Sequence, residues 1–449
     1  MKTFSHYAGR RNRCKVGLFR FQNGDFAPAY SPIGANLKRL RLSKMASAVF
    51  LICIAAAIPS PAQTFAKLLD FAGSNGASPY SSLIQGTDGN FYGTTTVGGP
   101  STNCIFGCGT VFVITPAGVL TTLHSFDGTD GSFPTASLVQ ATDGNFYSTA
   151  SSGGSSTNCP GGCGTVFMIT PAGALTTLHT FVGTEGSGPG GALVQASDGD
   201  LYSITSYGGA NSCATSPGCG TVFKINLSGV LTTLHNFNGT DGSVPMDGLL
   251  QAKNGKFYGT TAFGGANNNC GTFIGCGTVF RISGGVLTTV YNFCARPGCK
   301  DGTSPDTRLV QGKDGKFYGT TFRGGLSDLG TIFALTDAGS LQTLHRFTGY
   351  VASYPSELIQ GADGNLYEVA KSGGFFGCPG GCGAIFKITT KGVITALHRF
   401  HGDDGEYPYG GLLQATDGKF YGTTAYGGKN GDGTFFSFTS AKLTTAPSK

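Results

Sequence analysis

Tryptophan is missing from this 449-residue sequence, and charged residues make up only 12% of it. Without tryptophan a sugar-stacking platform is weaker, and only tyrosines such as Tyr80, Tyr354, Tyr407 and Tyr409 remain for that role. The sequence also has no Gly-x-Ser-x-Gly, no His-Glu-x-x-His and no Walker-type loop, which excludes the enzymes that depend on those motifs. Helical hydrophobic periodicity is absent after residue 62, so a helical fold is excluded.

Long hydrophobic runs are scarce as well, and the longest, Met45–Ile58, is short for a membrane span. A basic cluster precedes this run, and residues 59–62 follow it with the small side chains that a secretory peptidase needs. We predict that residues 1–62 are an N-terminal extension and signal peptide cut before Gln63, which leaves no stable membrane span. An uncleaved anchor helix is the alternative.

Acidic residues slightly outnumber basic ones once this leader is set aside. Ten of the 30 Lys/Arg but only one of the 24 Asp/Glu lie in residues 1–62, so 20 basic and 23 acidic residues remain. The net charge changes from +6 for the full chain to about −3 for the rest. A nucleic-acid partner needs a basic stripe, and we therefore expect none.

A repeated phrase dominates the remaining chain, built on Asp/Asn-Gly, a polar residue, Phe/Leu and Tyr. Its tyrosines are Tyr92, Tyr147, Tyr202, Tyr258, Tyr318, Tyr367 and Tyr421. Their spacing averages about 55 residues, the length of one propeller blade or solenoid unit. A unit of this size cannot bury its own apolar faces, so the units must pack against one another.

Each unit contains four short strand signals separated by tight-turn sequences. In the second unit they are residues 138–140, 146–149, 164–169 and 175–181, with Asp-Gly, Gly-Gly and Pro-Ala-Gly turns between them. Four antiparallel strands in each of seven units predict an all-β, seven-bladed β-propeller over residues 63–445, with a tail at 446–449. A β-solenoid is the alternative, although its coils are usually shorter.

The two ends of this region complement each other. Residues 65–71 carry the phrase of a fourth strand before the first complete unit, whereas residues 442–445 hold only the beginning of that phrase. We predict that the N-terminal strand completes the seventh blade and closes the ring, which removes two exposed sheet edges.

Twelve cysteines follow the leader and form six pairs that are close in sequence. The pairs are Cys104/Cys108, Cys159/Cys163, Cys213/Cys219, Cys270/Cys276, Cys294/Cys299 and Cys378/Cys382. Five pairs lie in the long loop after the Gly-Gly of a unit, and the two units with short loops have none. The pattern predicts six local disulfides formed in an oxidising compartment, each worth roughly 2 kcal/mol. Metal ligation by Cys-x3-Cys is the alternative, but no His or acid recurs beside the cysteines.

Two phrases recur in register along the chain, represented by residues 109–114 (Gly-Thr-Val-Phe-Val-Ile) and 120–126 (Leu-Thr-Thr-Leu-His-Ser-Phe). With them the chain resembles the GloVer tandem-repeat proteins, a bacterial extracytoplasmic group, over nearly all of residues 65–445. The resemblance implies a secreted, periplasmic or cell-surface location and carries no established activity. Residues 88–94 are also similar to the blade phrase of sensor-type propellers, which implies that the Leu-Val-Gln strand is innermost and the Leu-Thr-Thr-Leu-His strand outermost.

With that strand order, the Cys loops and the connections between units share one face of the disc, called the Cys-loop face below. The residues before each inner strand then surround the mouth of a central funnel. The candidate binding residues among them are Tyr80, Asp247, Asp306, Arg308, Glu357 and Tyr409. Convergent polar groups in a central cavity are the usual form of a binding site. The alternative is that these side chains only hydrate the funnel entrance.

Two rings of repeated residues are candidates for metal sites. An acid or amide precedes Gly in six connections, at Asn75, Asp130, Glu185, Asp241, Asp301 and Asp404. This ring would hold Ca²⁺ if carbonyls joined it, but we favour a turn-closing role for each side chain. Five histidines recur on the outer strands, at His124, His179, His235, His345 and His398. Separate blades hold them too far apart for one ion, so we expect packing between blades, and neither a metal site nor a cofactor.

Taken together, these features predict an exported, monomeric binding or scaffold module that recognises an extracellular protein or polysaccharide through the Cys-loop face. A polysaccharide-cleaving hydrolase or lyase is the alternative, with Asp247, Asp306 and Glu357 as its carboxylates near the axis. A structural surface-array protein is a second alternative, and it would self-associate.

Overall fold

The computed structural model describes residues 64–440, apart from 214–217, 272–273, 349–352 and 375–376. The predicted signal peptide and the tail at 446–449 lie outside the described residues. Regular structure within these ranges is antiparallel sheet together with two single 3₁₀ turns, Gly73–Asn75 and Pro297–Cys299. No helix in the described part is long and apolar enough to cross a membrane.

Seven antiparallel sheets follow one another along the chain as blades 1 to 7. Their inner strands are Ile84–Gln85, Val139–Gln140, Val194–Gln195, Leu250–Gln251, Val310–Gln311, Ile359–Gln360 and Leu413–Gln414. The second strands are Phe91–Thr95, Phe146–Ala150, Leu201–Thr205, Phe257–Thr261, Phe317–Thr321, Leu366–Ser372 and Phe420–Thr424. The third strands are Thr110–Ile114, Thr165–Ile169, Thr221–Ile225, Thr278–Ser283, Thr331–Leu335, Ala384–Ile388 and Thr434–Thr439. The outer strands of blades 1 to 6 are Leu120–Ser125, Leu175–Thr180, Leu231–Asn236, Val286–Asn292, Leu341–Arg346 and Ile394–Arg399.

Within each blade the strands are hydrogen-bonded in the order inner, second, third and outer. This is the order that the sequence predicts, and seven such blades make a seven-bladed β-propeller. Blade 6 has one additional short strand, Ser353–Pro355, which pairs with its second strand.

The tyrosine of the repeated phrase stabilises its own hairpin and also packs against the next blade. In blade 1 the Tyr92 hydroxyl donates to Oδ2 of Asp88 at 2.8 Å, which ties the strand to its Asp-Gly turn. The buried ring stacks on Phe146 of blade 2, with centroids 4.1 Å apart. Burial and the Asp88 carboxylate raise the pKa of Tyr92 to about 12, so the hydroxyl remains a donor at neutral pH. One phrase therefore specifies both a turn and the packing of the next blade.

The glutamine of the inner strand adds a polar link between neighbouring blades. Oε1 of Gln140 in blade 2 accepts the backbone N–H of Thr87 in blade 1 at 2.9 Å. Nε2 of the same side chain donates to the carbonyl of Gly144 in its own turn at 3.0 Å. The same link to the preceding blade is made by Gln195, Gln311, Gln360 and Gln414. Each of these glutamines satisfies a turn N–H while fixing the spacing of two blades.

Ring closure uses the N-terminal strand, Thr64–Asp70, as the outer strand of blade 7, where it pairs with the third strand. The contacts between blades 7 and 1 then repeat those of the other blade pairs. Tyr421 stacks on Phe91 with centroids 4.2 Å apart, and Gln85 accepts the N–H of Thr416 at 2.9 Å. The predicted closure is confirmed, and residues 441–445 lie beyond the described part of the chain.

All six predicted cysteine pairs form disulfides. The bridges are Cys104–Cys108, Cys159–Cys163, Cys213–Cys219, Cys270–Cys276, Cys294–Cys299 and Cys378–Cys382. Five close the loop between a second and a third strand, and Cys294–Cys299 closes the connection from blade 4 to blade 5. The Gly-Gly before the loop is required by close packing, because a Cβ on Gly98 would lie 2.6 Å from the carbonyl oxygen of Gly73. Six local bridges fit an exported protein.

The second cysteine of each long loop is buried in the core. These five residues are at most 1% exposed, and they are Cys108, Cys163, Cys219, Cys276 and Cys382. Each packs within a separate cluster of buried apolar side chains. A half-cystine is small and apolar, so it is buried readily where the loop returns to the third strand. These cysteines anchor the loops to the core and are not accessible to a ligand.

Candidate functional site

The residues that precede the inner strands line one cavity of about 1050 Å³. Its wall includes Tyr80, Asp247, Asp306, Glu357 and Tyr409, which are five of the six predicted binding residues. The rest of the wall is largely glycine together with serine and threonine hydroxyl groups, and it extends to the Cys159–Cys163 loop of blade 2. The funnel and part of the Cys-loop face therefore share a single concave surface.

Arg308, the sixth predicted residue, is bonded to Glu357. Its Nε donates to Oε1 of Glu357 at 2.9 Å, and Nη2 donates to the same oxygen. Its backbone N–H donates to Oδ2 of Asp247 at 3.0 Å. The carboxylate of Glu357 raises the pKa of Arg308 above its ordinary value, so the guanidinium stays charged. Blades 4, 5 and 6 are thereby joined by one charged network.

The same network reaches blade 1. Oε2 of Glu357 accepts the hydroxyl of Ser82 at 2.8 Å, and Oγ of Ser82 accepts the N–H of Gly411 at 2.7 Å. A Cβ on Gly411 would lie 2.9 Å from Oε2 of Glu357, so glycine at this position of blade 7 leaves room for the carboxylate. Glu357 of blade 6 therefore passes beside Gly411 of blade 7 and bonds to Ser82 of blade 1.

Asp247 is held by backbone donors. Besides the bond from Arg308, its Oδ1 accepts the N–H of Gly248 at 2.6 Å. Burial and then the nearby charge of Glu357 raise the pKa of Asp247 to about 6, against the opposing effect of Arg308. This carboxyl group therefore exchanges its proton near neutral pH.

A second charged pair in the wall joins Asp306 to Lys371, a residue that the sequence analysis missed. Nζ of Lys371 lies 3.5 Å from Oδ2 of Asp306, and the two side chains are 16% and 14% exposed. The same Nζ lies 5.5 Å from the ring centroid of Phe322 and 5.4 Å from that of Tyr409. Oδ1 of Asp306 is buried without a hydrogen-bond partner among the described residues. Burial raises the pKa of Asp306, although Lys371 opposes the shift.

Tyr80 of blade 1 and Tyr409 of blade 7 form an aromatic section of the wall, and further tyrosines contact them or lie nearby. The ring centroids of Tyr80 and Tyr409 lie 4.5 Å apart at an angle of 70°. The hydroxyl groups of Tyr80 and Tyr426 are 2.5 Å apart, and the Tyr426 ring is edge-on to Tyr407 at 6.0 Å. Burial, followed by the bond to Tyr426, raises the pKa of Tyr80 well above its ordinary value, so its hydroxyl remains protonated.

Blade 6 departs from the repeat where the missed residues lie. Its second strand contains Glu368 where the other blades have glycine or serine after the tyrosine, and Lys371 follows three residues later. The Glu368 side chain is fully buried, and neither carboxyl oxygen has a hydrogen-bond partner in the described part of the chain. Burial raises the pKa of Glu368 well above its ordinary value of 4.5. Comparison of one unit with the next would have singled out both residues.

Replacing Glu368 by glutamine is expected to remove a loss of stability at high pH. Because the folded state keeps the Glu368 proton longer than the unfolded state, stability falls as the pH rises above 4.5 toward the folded-state pKa. Glu368→Gln should abolish that fall and gain about 1 kcal/mol or more at pH 8.5, with little gain at pH 4.5. Urea unfolding at the two pH values measures the difference. Glu406→Gln, at a partly exposed position, is the control, and parallel pH profiles for wild type and Glu368→Gln would contradict the prediction.

Four of the five repeated histidines bond to an acid in the connection that follows their own blade, and His345 packs edge-on against Phe347. His124 Nε2 lies 2.6 Å from Oδ2 of Asp130, while Oδ1 of Asp130 accepts the N–H of Asp127. Equivalent pairs are His179 with Glu185, His235 with Asp241, Tyr291 with Asp301 and His398 with Asp404. These side chains close their own connections. The described residues contain no group of three or more His, Cys, Asp or Glu arranged to hold a metal ion.

Solved structures share this fold at low sequence identity. Virginiamycin B lyase from Staphylococcus aureus, solved with quinupristin, is 14% identical, with a TM-score of 0.55 over 84% of this chain and 100% of that one. The extracellular domain of a hybrid two-component system from B. thetaiotaomicron is 12% identical, with a TM-score of 0.51 over 85% of this chain and 43% of that one. Both likenesses concern the fold alone. No curated protein matches the sequence.

A family model covers nearly the whole of the propeller. The Gloeobacter/Verrucomicrobia repeat matches residues 57–274 and 271–447. These ranges contain all seven units and the phrases on which the resemblance to the GloVer proteins depends. The chain belongs to the Gloeobacter/Verrucomicrobia repeat family.

Proposed function

We propose that the chain is an exported binding module that takes a polysaccharide into its funnel at the Cys-loop face. The cavity of about 1050 Å³ carries this proposal. It is slightly larger than the usual ligand pocket, which measures roughly 300–1,000 Å³. Its wall combines many hydroxyl groups with a tyrosine section, which suits a ligand that has polar edges and apolar ring faces.

The charge arrangement in the funnel supports binding ahead of catalysis. Arg308 and Glu357 are bonded to each other, and Glu357 accepts a further bond from Ser82. A general acid or base must be free to exchange a proton with the substrate, and Glu357 has both oxygens occupied. These groups are suited to holding the funnel in shape.

The disulfides support the same proposal through rigidity. Cys159–Cys163 closes a loop that contributes to the cavity wall, and Cys213–Cys219 closes the equivalent loop in blade 3. Ordering a loop before the ligand arrives reduces the entropy lost on binding. The disulfide in the cavity wall therefore lowers the entropy cost of binding a ligand there.

A polysaccharide-cleaving enzyme is the second candidate, and Asp247 favours it. A carboxyl group with a pKa of about 6 in a cavity wall has the proton affinity of a general acid near neutral pH. Both of its oxygens also accept backbone N–H bonds, and proton transfer to a substrate would have to displace one of them, which places this candidate second.

A glycan-array screen of the full chain, produced by export so that its disulfides form, tests the proposal. We expect retention of at least one polysaccharide or oligosaccharide class without release of new reducing ends. Release that Asp247→Asn abolishes would move the protein to the enzyme class. Absence of any retained glycan would contradict the polysaccharide proposal and direct the search to protein partners.

A further inference from the structure

We propose that Lys371, Asp306 and Tyr409 form a subsite for one neutral sugar ring, in which Lys371 and Asp306 hold two adjacent hydroxyl groups. The inference rests on the proposed polysaccharide binding and names the sugar class and the side chains that select it. All three residues belong to the wall of the same cavity.

The ammonium group of Lys371 has hydrogen-bond capacity to spare. It carries three N–H donors. Its ion-pair partner, Oδ2 of Asp306, is 3.5 Å away, beyond the usual N–H···O distance of about 2.7–3.2 Å. The rings of Phe322 and Tyr409 flank it, and neither replaces a hydrogen-bond acceptor. Among the described residues Nζ donates no hydrogen bond of ordinary length, so a ligand oxygen would complete its coordination.

The spacing of the pair fits two neighbouring hydroxyl groups of a sugar. One hydroxyl donates to the Asp306 carboxylate while the next accepts from Lys371, because a hydroxyl group is both a donor and an acceptor. The Tyr409 ring beside Lys371 offers an apolar surface for the C–H face of the same sugar. Tyr80, edge-on to Tyr409 at 4.5 Å, extends this surface toward blade 1.

The charges around the funnel favour a neutral ligand. Three carboxyl groups, Asp247, Asp306 and Glu357, share the funnel with two cations, Arg308 and Lys371. A uronate or sulfate group would bring a negative charge beside these carboxyl groups, whereas a neutral hydroxyl group can bond to a carboxyl group in either protonation state. Arg308 is occupied by Glu357 and does not offset that charge.

Isothermal titration calorimetry of the full chain tests the subsite, with β-1,4-linked hexasaccharides of glucose, mannose and xylose, hexagalacturonate, and every glycan that the array retains. We expect a neutral ligand to bind at least tenfold more tightly than hexagalacturonate. Lys371→Met and Asp306→Asn should each weaken that binding at least tenfold, and the double variant should lose less than the product of the two effects, because both residues hold the same pair of hydroxyl groups. Lys316→Met is the matched control, since the Lys316 side chain is 44% exposed in an Asp-Gly turn outside the cavity wall.

A measurement on the wild type covers the case in which a variant fails to fold. Acetylation of lysines, followed by mass spectrometry, should show protection of Lys371 but not Lys316 by the neutral ligand. Neutral binding with unprotected Lys371 and unaffected variants would overturn the subsite and leave polysaccharide binding intact. If hexagalacturonate binds more tightly than the neutral ligands and Lys371→Met abolishes its binding, the subsite stands and only its preference for a neutral sugar is overturned. If no glycan binds the wild type, the proposed function fails together with the subsite.

Discussion

Removing the N-terminal strand, residues 64–70, is expected to open the propeller and lower its stability by about 5 kcal/mol or more. The strand is the outer edge of blade 7 and contacts the blades on both sides. The Phe65 ring stacks on His398 of blade 6 with centroids 3.7 Å apart. Leu68 and Leu69 of the strand pack in one apolar cluster with Phe112 and Leu120 of blade 1. Deletion would expose apolar surface on three blades and leave a sheet edge unpaired.

Thermal and urea unfolding measure this loss, and a permuted chain provides the control. Moving residues 64–70 to follow Thr439 through an Asp-Ala-Gly turn, like that at 337–339, restores the strand as an ordinary outer hairpin strand. The register supports this design, because Thr64 lies opposite Thr439 in the sheet. We expect the permuted chain to recover most of the stability. Equal unfolding midpoints for the deleted and intact chains would show that the ring closes without this strand.

Much of the fold could be predicted because its determinants are local and repeated. Asp-Gly turns, the Tyr phrase and the short cysteine pairs each act within one unit, and seven copies make the pattern unambiguous. The closure could be predicted because residues 65–71 carry an outer-strand phrase with no preceding strands to join. The glutamine links were not anticipated, since Gln140 and its partner Thr87 lie in different blades and a short polar strand carries no sign of that bond.

The sequence predicted where the candidate site residues lie but not which of their side chains bond to each other. Every residue before an inner strand faces the axis by topology, so Tyr80, Asp306 and Tyr409 were placed at the funnel from the repeat alone. Which side chains bond to each other depends on distances across the ring. Glu357 meets Ser82, 275 positions away, only because Gly411 leaves space between them.

Lys371 and Glu368 were missed for a different reason. They lie in the second strand of blade 6. In the other blades this strand is buried and serves only the fold, so the repeat gave no reason to expect functional residues there. Their signal lies in the departure of one blade from its neighbours, as a glutamate replaces glycine or serine. In a repeat protein such departures are informative, since the shared pattern already satisfies the needs of the fold.

Replacing Arg308 by methionine is expected to destabilise the protein by about 3 kcal/mol, because it leaves the carboxylate of Glu357 without its cation. The Glu357 side chain is only 10% exposed and cannot recover this interaction from water. Arg308 also lowers the pKa of Asp247, so its removal should keep Asp247 protonated to higher pH. The loss of stability should therefore be larger at pH 8 than at pH 5, because an ionised carboxyl group is stabilised by the guanidinium and a protonated one is not.

Two comparisons separate loss of the buried pair from loss of arginine packing. Arg281→Met removes a guanidinium that pairs with Asp337, a residue whose side chain is 49% exposed, and should cost less than about 1 kcal/mol. Arg308→Met combined with Glu357→Gln should recover most of the stability that Arg308→Met loses, because the carboxylate that bonds to the guanidinium is then replaced by a neutral amide. Urea unfolding at pH 5 and pH 8 supplies every value in the cycle. A double variant as unstable as Arg308→Met would show that Arg308 supports the funnel through the packing of its side chain, with the charge pair contributing little.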